Sequence, residues 1–148
     1  MTSKLVIGLD GQPSGQRALT YGESLASKLG TCELLVVYVI EWSPFSFQTA
    51  EENERRHKRR EEEIATAMER IVTPAVNGLK ATGLNARGIV QHGNVADTLI
   101  SIAEEEGADQ IIICRSSEDG IAKRLFGSST ANLVMHASVP VTVVNPGV

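Results

Sequence analysis

Two stretches of this chain hold residue types suited to chemistry on a small polar ligand. The first is Gly8-Leu9-Asp10-Gly11-Gln12-Pro13-Ser14, where an apolar run ends in a carboxylate. An Asp10 that closes a buried strand can accept hydrogen bonds from a sugar hydroxyl or help hold a divalent cation. The same carboxylate can instead accept from loop amides and cap the helix that follows. The second stretch runs from Cys114 to Thr130. Gly127 and Ser128 are expected to open a helix there, and the unpaired amides of a helix start form an anion site. Gly127 lets a phosphate come close to the backbone, while Ser128, Ser129 and Thr130 add hydroxyl donors. Ser128 acting as a plain N-cap fits the spacing equally. Lys123 and Arg124 reach either toward phosphates or into a solvated helix face.

Other chemistries lack their residues. His57, His92 and His136 are scattered, and neither they nor Cys32 and Cys114 have the spacing of a metal site. There is no Gly-x-Ser-x-Gly elbow and no Gly-x4-Gly-Lys-Ser/Thr loop. A catalytic residue is therefore not expected.

The elements that must position these residues alternate. Five apolar runs, Leu5–Leu9, Leu34–Ile40, Ala86–Gln91, Gln110–Cys114 and Val141–Val144, are continuously apolar, as strands buried on both faces are. Arg87 and Gln91 interrupt the third, which places it near an edge. A helix is expected from Ser14 to Leu29, with a stripe of Ala18, Tyr21, Gly22, Leu25, Ala26 and Leu29, Pro13 at its start and Gly30 at its end. A long helix is expected over Ala50 to Ala81. Acids and bases interleave at its beginning, with Glu51–Arg55, Glu52–Arg56 and Glu54–Lys58 in the favourable order. Ile64, Met68, Ile71, Ala75 and Leu79 form its apolar stripe, and Pro74 should kink or break it. Asn94, with Asp97 three residues on, caps a third helix. A fourth is expected from Ser128 to Ala137, with Pro140 ending the segment before the last strand.

Strands alternating with helical crossovers predict a doubly wound α/β fold: a five-stranded parallel sheet, order 3-2-1-4-5, with helices on both faces of a single domain spanning residues 1–148. Ligands in such sheets bind at the carboxyl edge, where the winding reverses between strands one and four. Leu9, Asp10 and Gly11 lie on one side of that point, and Cys114 to Ser117 on the other.

The 148 residues suit one domain, with no apolar run long enough to span a membrane and no secretory signal at the start, so a cytoplasmic location is expected. The cysteines are expected as buried thiols. A net charge of −4 argues against a nucleic-acid or anionic-membrane partner.

Taken in order, Val6-Ile-Gly-Leu-Asp-Gly11, Leu35-Val-Val-Tyr-Val-Ile40, Gly93 before the third helix, and Lys123-Arg-Leu-Phe-Gly-Ser128 followed by His136-Ala-Ser-Val-Pro-Val-Thr-Val-Val144 resemble the universal stress protein family. The resemblance covers nearly the whole chain. It implies a cytoplasmic dimer and, in one branch, binding of ATP or another adenine nucleotide, with Mg carried by the nucleotide and Asp10 near the ribose or that ion. The branch motif Gly-x2-Gly-x9-Gly-Ser/Thr falls on Cys114, Ser117, Gly127 and Ser128. The later pair matches, whereas Cys114 and Ser117 replace glycines that let the chain pass close to ribose and phosphates. These small side chains are expected to narrow the site without plugging it. By the same resemblance, Val39 contacts the adenine through its backbone.

The last strand, Pro140 to Asn145, is an apolar run at the expected sheet edge. Such edges invite pairing, and the resemblance implies a homodimer across it; an edge covered by the chain's own C-terminus is the alternative. Trp42, Phe45 and Phe47 cover the adenine end, join a dimer contact, or pack as an ordinary loop. The expected function is a regulatory binding module with a degenerate adenine-nucleotide site. The alternatives are a stress protein that binds no nucleotide and acts through an unknown protein partner, and a slow ATPase using Asp10 or Glu118.

Overall fold

The computed structural model describes residues 2–11, 15–41, 49–115 and 121–145, with only the backbone described in 121–128. Strands β1 (Ser3–Leu9), β2 (Cys32–Glu41), β3 (Asn85–Gly93), β4 (Gln110–Cys114) and β5 (Val141–Val144) form one sheet. Its order is β3-β2-β1-β4-β5, with every neighbouring pair parallel, as the alternating pattern predicted. Polar-interrupted β3 takes one edge and short β5 the other.

The runs are continuously apolar because each strand feeds two cores. Leu5, Ile7, Leu34, Val36 and Ile112 pack with α1 (Gly15–Leu29), α2 (Ala50–Ala67) and α3 (Thr73–Ala81). Val6, Leu35, Val37, Ile111 and Ile113 face the other way, toward Leu99 and Ile102 of α4 (Val95–Glu106) and Leu133 of α5 (Ile121–His136). Alternate residues of one strand thus reach opposite layers, as the period of a pleated strand requires.

Pro74 does not break the long helix. The chain remains helical from Ala50 through Ala81, but Met68–Val72 adopts a π-helical turn between α2 and α3. Thr73 N–H reaches Met68 O, five residues back, and Pro74 then stands in the first turn of α3, where a missing N–H is tolerated. The widened turn lodges against β3, where Gly88 leaves room for it: a Cβ on Gly88 would lie 2.3 Å from Val72 Cγ1.

The starts of α4 and α2 are capped by side chains. Asn94 Oδ1 accepts from Asp97 N–H at 3.0 Å, as expected. Thr49 forms a full capping box with Glu52, each side chain bonding the other's backbone N–H at 3.1 Å. On α2, His57 lies 3.1 Å from Glu61, and Glu63 reaches His92 of β3 at 3.0 Å. Both cysteines are free thiols. Cys32 pairs with Ser3 at the start of the sheet, and Cys114 follows the Gly8–Ile113 pair near its end. Six residues of strand separate these levels, about 20 Å, which a disulfide cannot span.

Candidate functional site

At the carboxyl edge the strands end at different heights. β1 pairs with β4 as far as Gly8–Ile113 and with β2 as far as Leu9–Tyr38. β2 continues to Glu41 beside β3, so Val39 is its first residue beyond the β1 ladder. The Val39 side chain is buried in the α4/α5 core, which leaves only its backbone for a ligand. Leu9 turns the opposite way and is half-buried against the α1–α3 layer.

Asp10 follows β1 and is exposed. Its Oδ1 lies 3.0 Å from where a Cβ on Gly15 would stand, so the carboxylate rests on the first residue of α1. A negative group there opposes the positive end of the helix dipole, and the first turn of α1 contains no acid of its own. The carboxylate thus stands at the start of α1 and is exposed at the switch point.

Cys114 ends β4 on the α1 side of the sheet, where it packs with Val144 and Ile112. Its side chain is thus turned into that layer, so the cysteine in the glycine position adds little bulk above the strand ends. Burial pushes the Cys114 thiol pKa up, and the Asp10 charge adds to this, while the cationic Arg17 and Arg115 oppose it. Arg17 Nε donates to the Asn145 carbonyl at 3.3 Å, and Arg115 Nε donates to Asn145 Oδ1 at 3.1 Å. Arg115 N–H also continues the β4–β5 ladder to Val144 O. Arg17 and Asn145 did not stand out in the sequence. The only signal was that both fall within a residue or two of an element end at the carboxyl edge.

The expectation that Gly127-Ser128 opens a helix is corrected. α5 begins at Ile121, so both residues lie inside it. Ile121 to Phe126 are sound helix formers, and one internal glycine costs only about 1 kcal/mol. In a helix interior each amide bonds a carbonyl four residues back, so these amides do not form the anion site of a helix start. Ser129 is half-buried on α5. Ser117, Glu118, Pro13, Ser14, Trp42, Phe45 and Phe47 lie outside the described residues, as do the side chains of Lys123, Arg124 and Ser128.

A cavity of about 410 Å³ lies between α1 and the π-helical turn with α3, lined by Leu9, Gly11 and Gly15, by Arg70 of that turn, and by Pro74 and Gly78 of α3. A second, of about 550 Å³, lies under α2 against Tyr38 and Ile40. Neither is lined by a residue of β4. Among the described residues no group of three or more His, Cys, Asp or Glu is placed to hold a metal ion. No helix among them is long and apolar enough to cross a membrane.

Comparison with known proteins places this geometry in a family. A model described as the universal stress protein family matches residues 1–145. Among solved structures, a universal stress protein UspA from Lactobacillus plantarum superimposes with a TM-score of 0.79 at 19% identity, over 96% of this chain and 97% of that one. A universal stress protein solved in complex with cAMP gives 0.66 at 21% identity, over 98% of each chain. One from Arabidopsis thaliana with AMP bound gives 0.64 at 15% identity, over 97% of this chain and 91% of that one.

Proposed function

The chain belongs to the universal stress protein family, and within it we propose that this protein is a cytoplasmic, homodimeric regulatory module that binds an adenine nucleotide at the carboxyl edge of its sheet. The observation that carries this reading is the arrangement at the β1/β4 switch point. Asp10 follows β1 there and Cys114 ends the neighbouring β4, while β2 extends past β1 to present the Val39 backbone on the other side of β1. A ligand at such a point meets strand ends from both halves of the winding.

In this reading Asp10 receives ribose hydroxyls at its solvent-facing side and stands near any Mg that accompanies the phosphates. Val39 offers backbone groups to the adenine edge, and Leu9 and Cys114 form the apolar floor. Similar chains solved with cAMP and with AMP support the choice of an adenine nucleotide. Isothermal calorimetry with ATP, AMP and cyclic AMP tests it, together with mass spectrometry of whatever co-purifies with the protein. A measurable affinity for at least one, weakened in Asp10→Ala, is expected. No heat with any of the three removes the nucleotide reading.

The homodimer is proposed to form across β5. Among the described residues this strand has only β4 as a neighbour in the sheet, and its four residues are half-buried. Val134 and Met135 just upstream on α5 are 54% and 76% exposed, an unusual presentation of apolar surface. Light scattering should give a dimer mass that falls toward the monomer in Val143→Lys.

A second reading has its own support. The in-helix placement of Gly127 and Ser128, with cysteine at the first glycine position, favours a family member that binds no nucleotide and works through its dimer surface and a protein partner. The same calorimetry decides between the two.

A further inference from the structure

Helices α1 and α3 return across the same face of the sheet, and the cavity of about 410 Å³ between α1 and the π-helical turn with α3 is a cleft in that layer. Its volume is in the range of small-molecule pockets. Gly15, Gln16, Leu19 and Glu23 line one wall, and Ile71, Ala75, Gly78 and Leu79 lie along the other. Gly15 and Glu23 are eight residues apart, as are Ile71 and Leu79, so each wall is about 12 Å long at the rise of a helix.

The lining describes its occupant. Leu19, Ile71, Pro74, Ala75 and Leu79 are aliphatic, and no aromatic side chain among the described residues lines the cleft, so it suits a chain rather than a stacked ring. An extended chain advances about 1.2 Å per bond, which fits roughly eight to ten atoms between the ends. The lining includes one acid, Glu23, and one base, Arg70, while Asp10 rests on Gly15. Arg70 also lines the second cavity with Arg59, Glu62 and Glu63, so it is not given over to an anion. A net charge of either sign on the ligand would meet its like here. An uncharged head group avoids that, and the Gln16 amide can both donate to it and accept from it.

A further observation does not depend on the size of the cleft. Gly78 lies inside α3, where glycine is a poor helix former. Nothing stands within 4 Å of where its Cβ would be, and its φ is not positive, so neither packing nor backbone conformation calls for glycine. Gly78 lines the cleft, and the space a side chain would take there is left to an occupant. The π-helical turn, a form that recurs at functional sites, brings Arg70 and Ile71 to the same lining.

We infer that this cleft binds a straight-chain acyl compound with an uncharged head, such as a primary amide, about eight to ten atoms long. The site lies between helices, with no residue of β4 in its lining, and does not rest on the nucleotide reading.

Calorimetry on the full chain with hexanamide, octanamide, decanamide, octanoate and octylamine tests it. A buried methylene is worth about fourfold in affinity, so octanamide should bind about tenfold more tightly than hexanamide. Decanamide should gain little more, because its last carbons leave the cleft. Octanoate and octylamine should both bind more weakly than octanamide. Gly78→Ala should raise the melting temperature by a few degrees, since alanine is the better helix former and has room to stand, yet weaken octanamide severalfold. Gly78→Leu should abolish octanamide binding. A glycine that served the fold alone would not yield a variant both more stable and weaker in binding.

Silence with octanamide in wild type, or equal binding by wild type and both Gly78 variants, overturns the site. An affinity that climbs from octanamide to decanamide by the same factor as before is unbounded apolar partition and overturns it as well. Octanoate or octylamine binding more tightly than octanamide overturns the uncharged head group.

Discussion

Gly88→Ala probes the seam between edge strand β3 and the π-helical turn, and its cost can be worked from the coordinates. A Cβ on Gly88 would stand 2.3 Å from Val72 Cγ1, and 3.4 Å from both Met68 Sδ and Val76 Cγ2. Unstrained carbon contacts lie at about 3.5–4.0 Å, so the new methyl overlaps Val72 by more than ~1 Å. Val72 has no exposed surface, and a β-branched side chain in a helical turn has essentially one rotamer. It cannot swing aside, so the turn or the strand must move. Overpacking of this kind costs about 1–3 kcal/mol, and alanine returns roughly 0.4–1 kcal/mol by restricting the unfolded chain. The net expectation is a loss of about 1–2 kcal/mol, seen as a melting temperature lower by roughly 3–8 °C. The assay is a double-mutant cycle by urea denaturation. Val72→Ala alone should cost about 1.5–3 kcal/mol for two lost methyl groups and the space they leave. In the double variant the methyl of residue 88 enters that space, so the combined loss should fall short of the sum by about 1 kcal/mol or more. Additive losses, or a Gly88→Ala protein more stable than wild type, would refute the reasoning.

Thr49→Ala removes one half of the capping box with Glu52 and should cost about 1 kcal/mol by denaturation, since α2 begins in solvent and depends on its cap. Arg87 joins Glu33 of β2 at 3.4 Å and also contacts Glu106 at the end of α4, yet its side chain is 45% exposed. Arg87→Met should therefore cost less than about 1 kcal/mol, and a loss above twice that would show the ion pairs to be stronger than their exposure allows. Burial, then the charges of Asp109 and Glu33, hold the Cys32 thiol pKa above its ordinary value, and Cys114 is raised as well. The unfolded thiols ionise first, so this contribution is complete below the ordinary thiol range and is lost as pH climbs through the folded values. Wild type should lose more stability between pH 8 and pH 10 than a Cys32→Ala, Cys114→Ala protein, as urea midpoints would record; parallel curves would count against it. A thiol reagent at neutral pH should modify half-buried Cys114 before buried Cys32, and both more slowly than a free thiol, which mass spectrometry of the modified chain would resolve.

Much of this architecture was legible because burial on two faces writes itself into composition. Leu34 to Ile40 and Gln110 to Cys114 are apolar without alternation, and that pattern has few solutions other than a central parallel strand. Arg87 and Gln91 placed β3 at an edge for the same reason. Asn94 and Asp97 declared a helix start through a local bond that needs no distant partner. The helix start expected at Ser128 failed on similar grounds. Gly127 and the hydroxyl residues after it look like a cap, but propensity is a weak local term, and α5 carries through them from Ile121. Pro74 announced an irregularity without its form, because a π-turn is selected by what packs against it, here the strand surface opened by Gly88.

The sequence alone determined the sheet, its order, the two cores and the presence of Asp10 and Cys114 at the carboxyl edge. These follow from periodicity and from the one-handedness of parallel crossovers, which act through neighbours in the chain. Tertiary structure alone decided which way Cys114 turns, where Asp10 rests, and that Arg17, Arg115 and Asn145 meet. Those contacts join residues up to 128 positions apart, as in the bond from Arg17 to Asn145. No local preference encodes such a meeting, because it arises only when the sheet fixes the ends of three separate elements side by side.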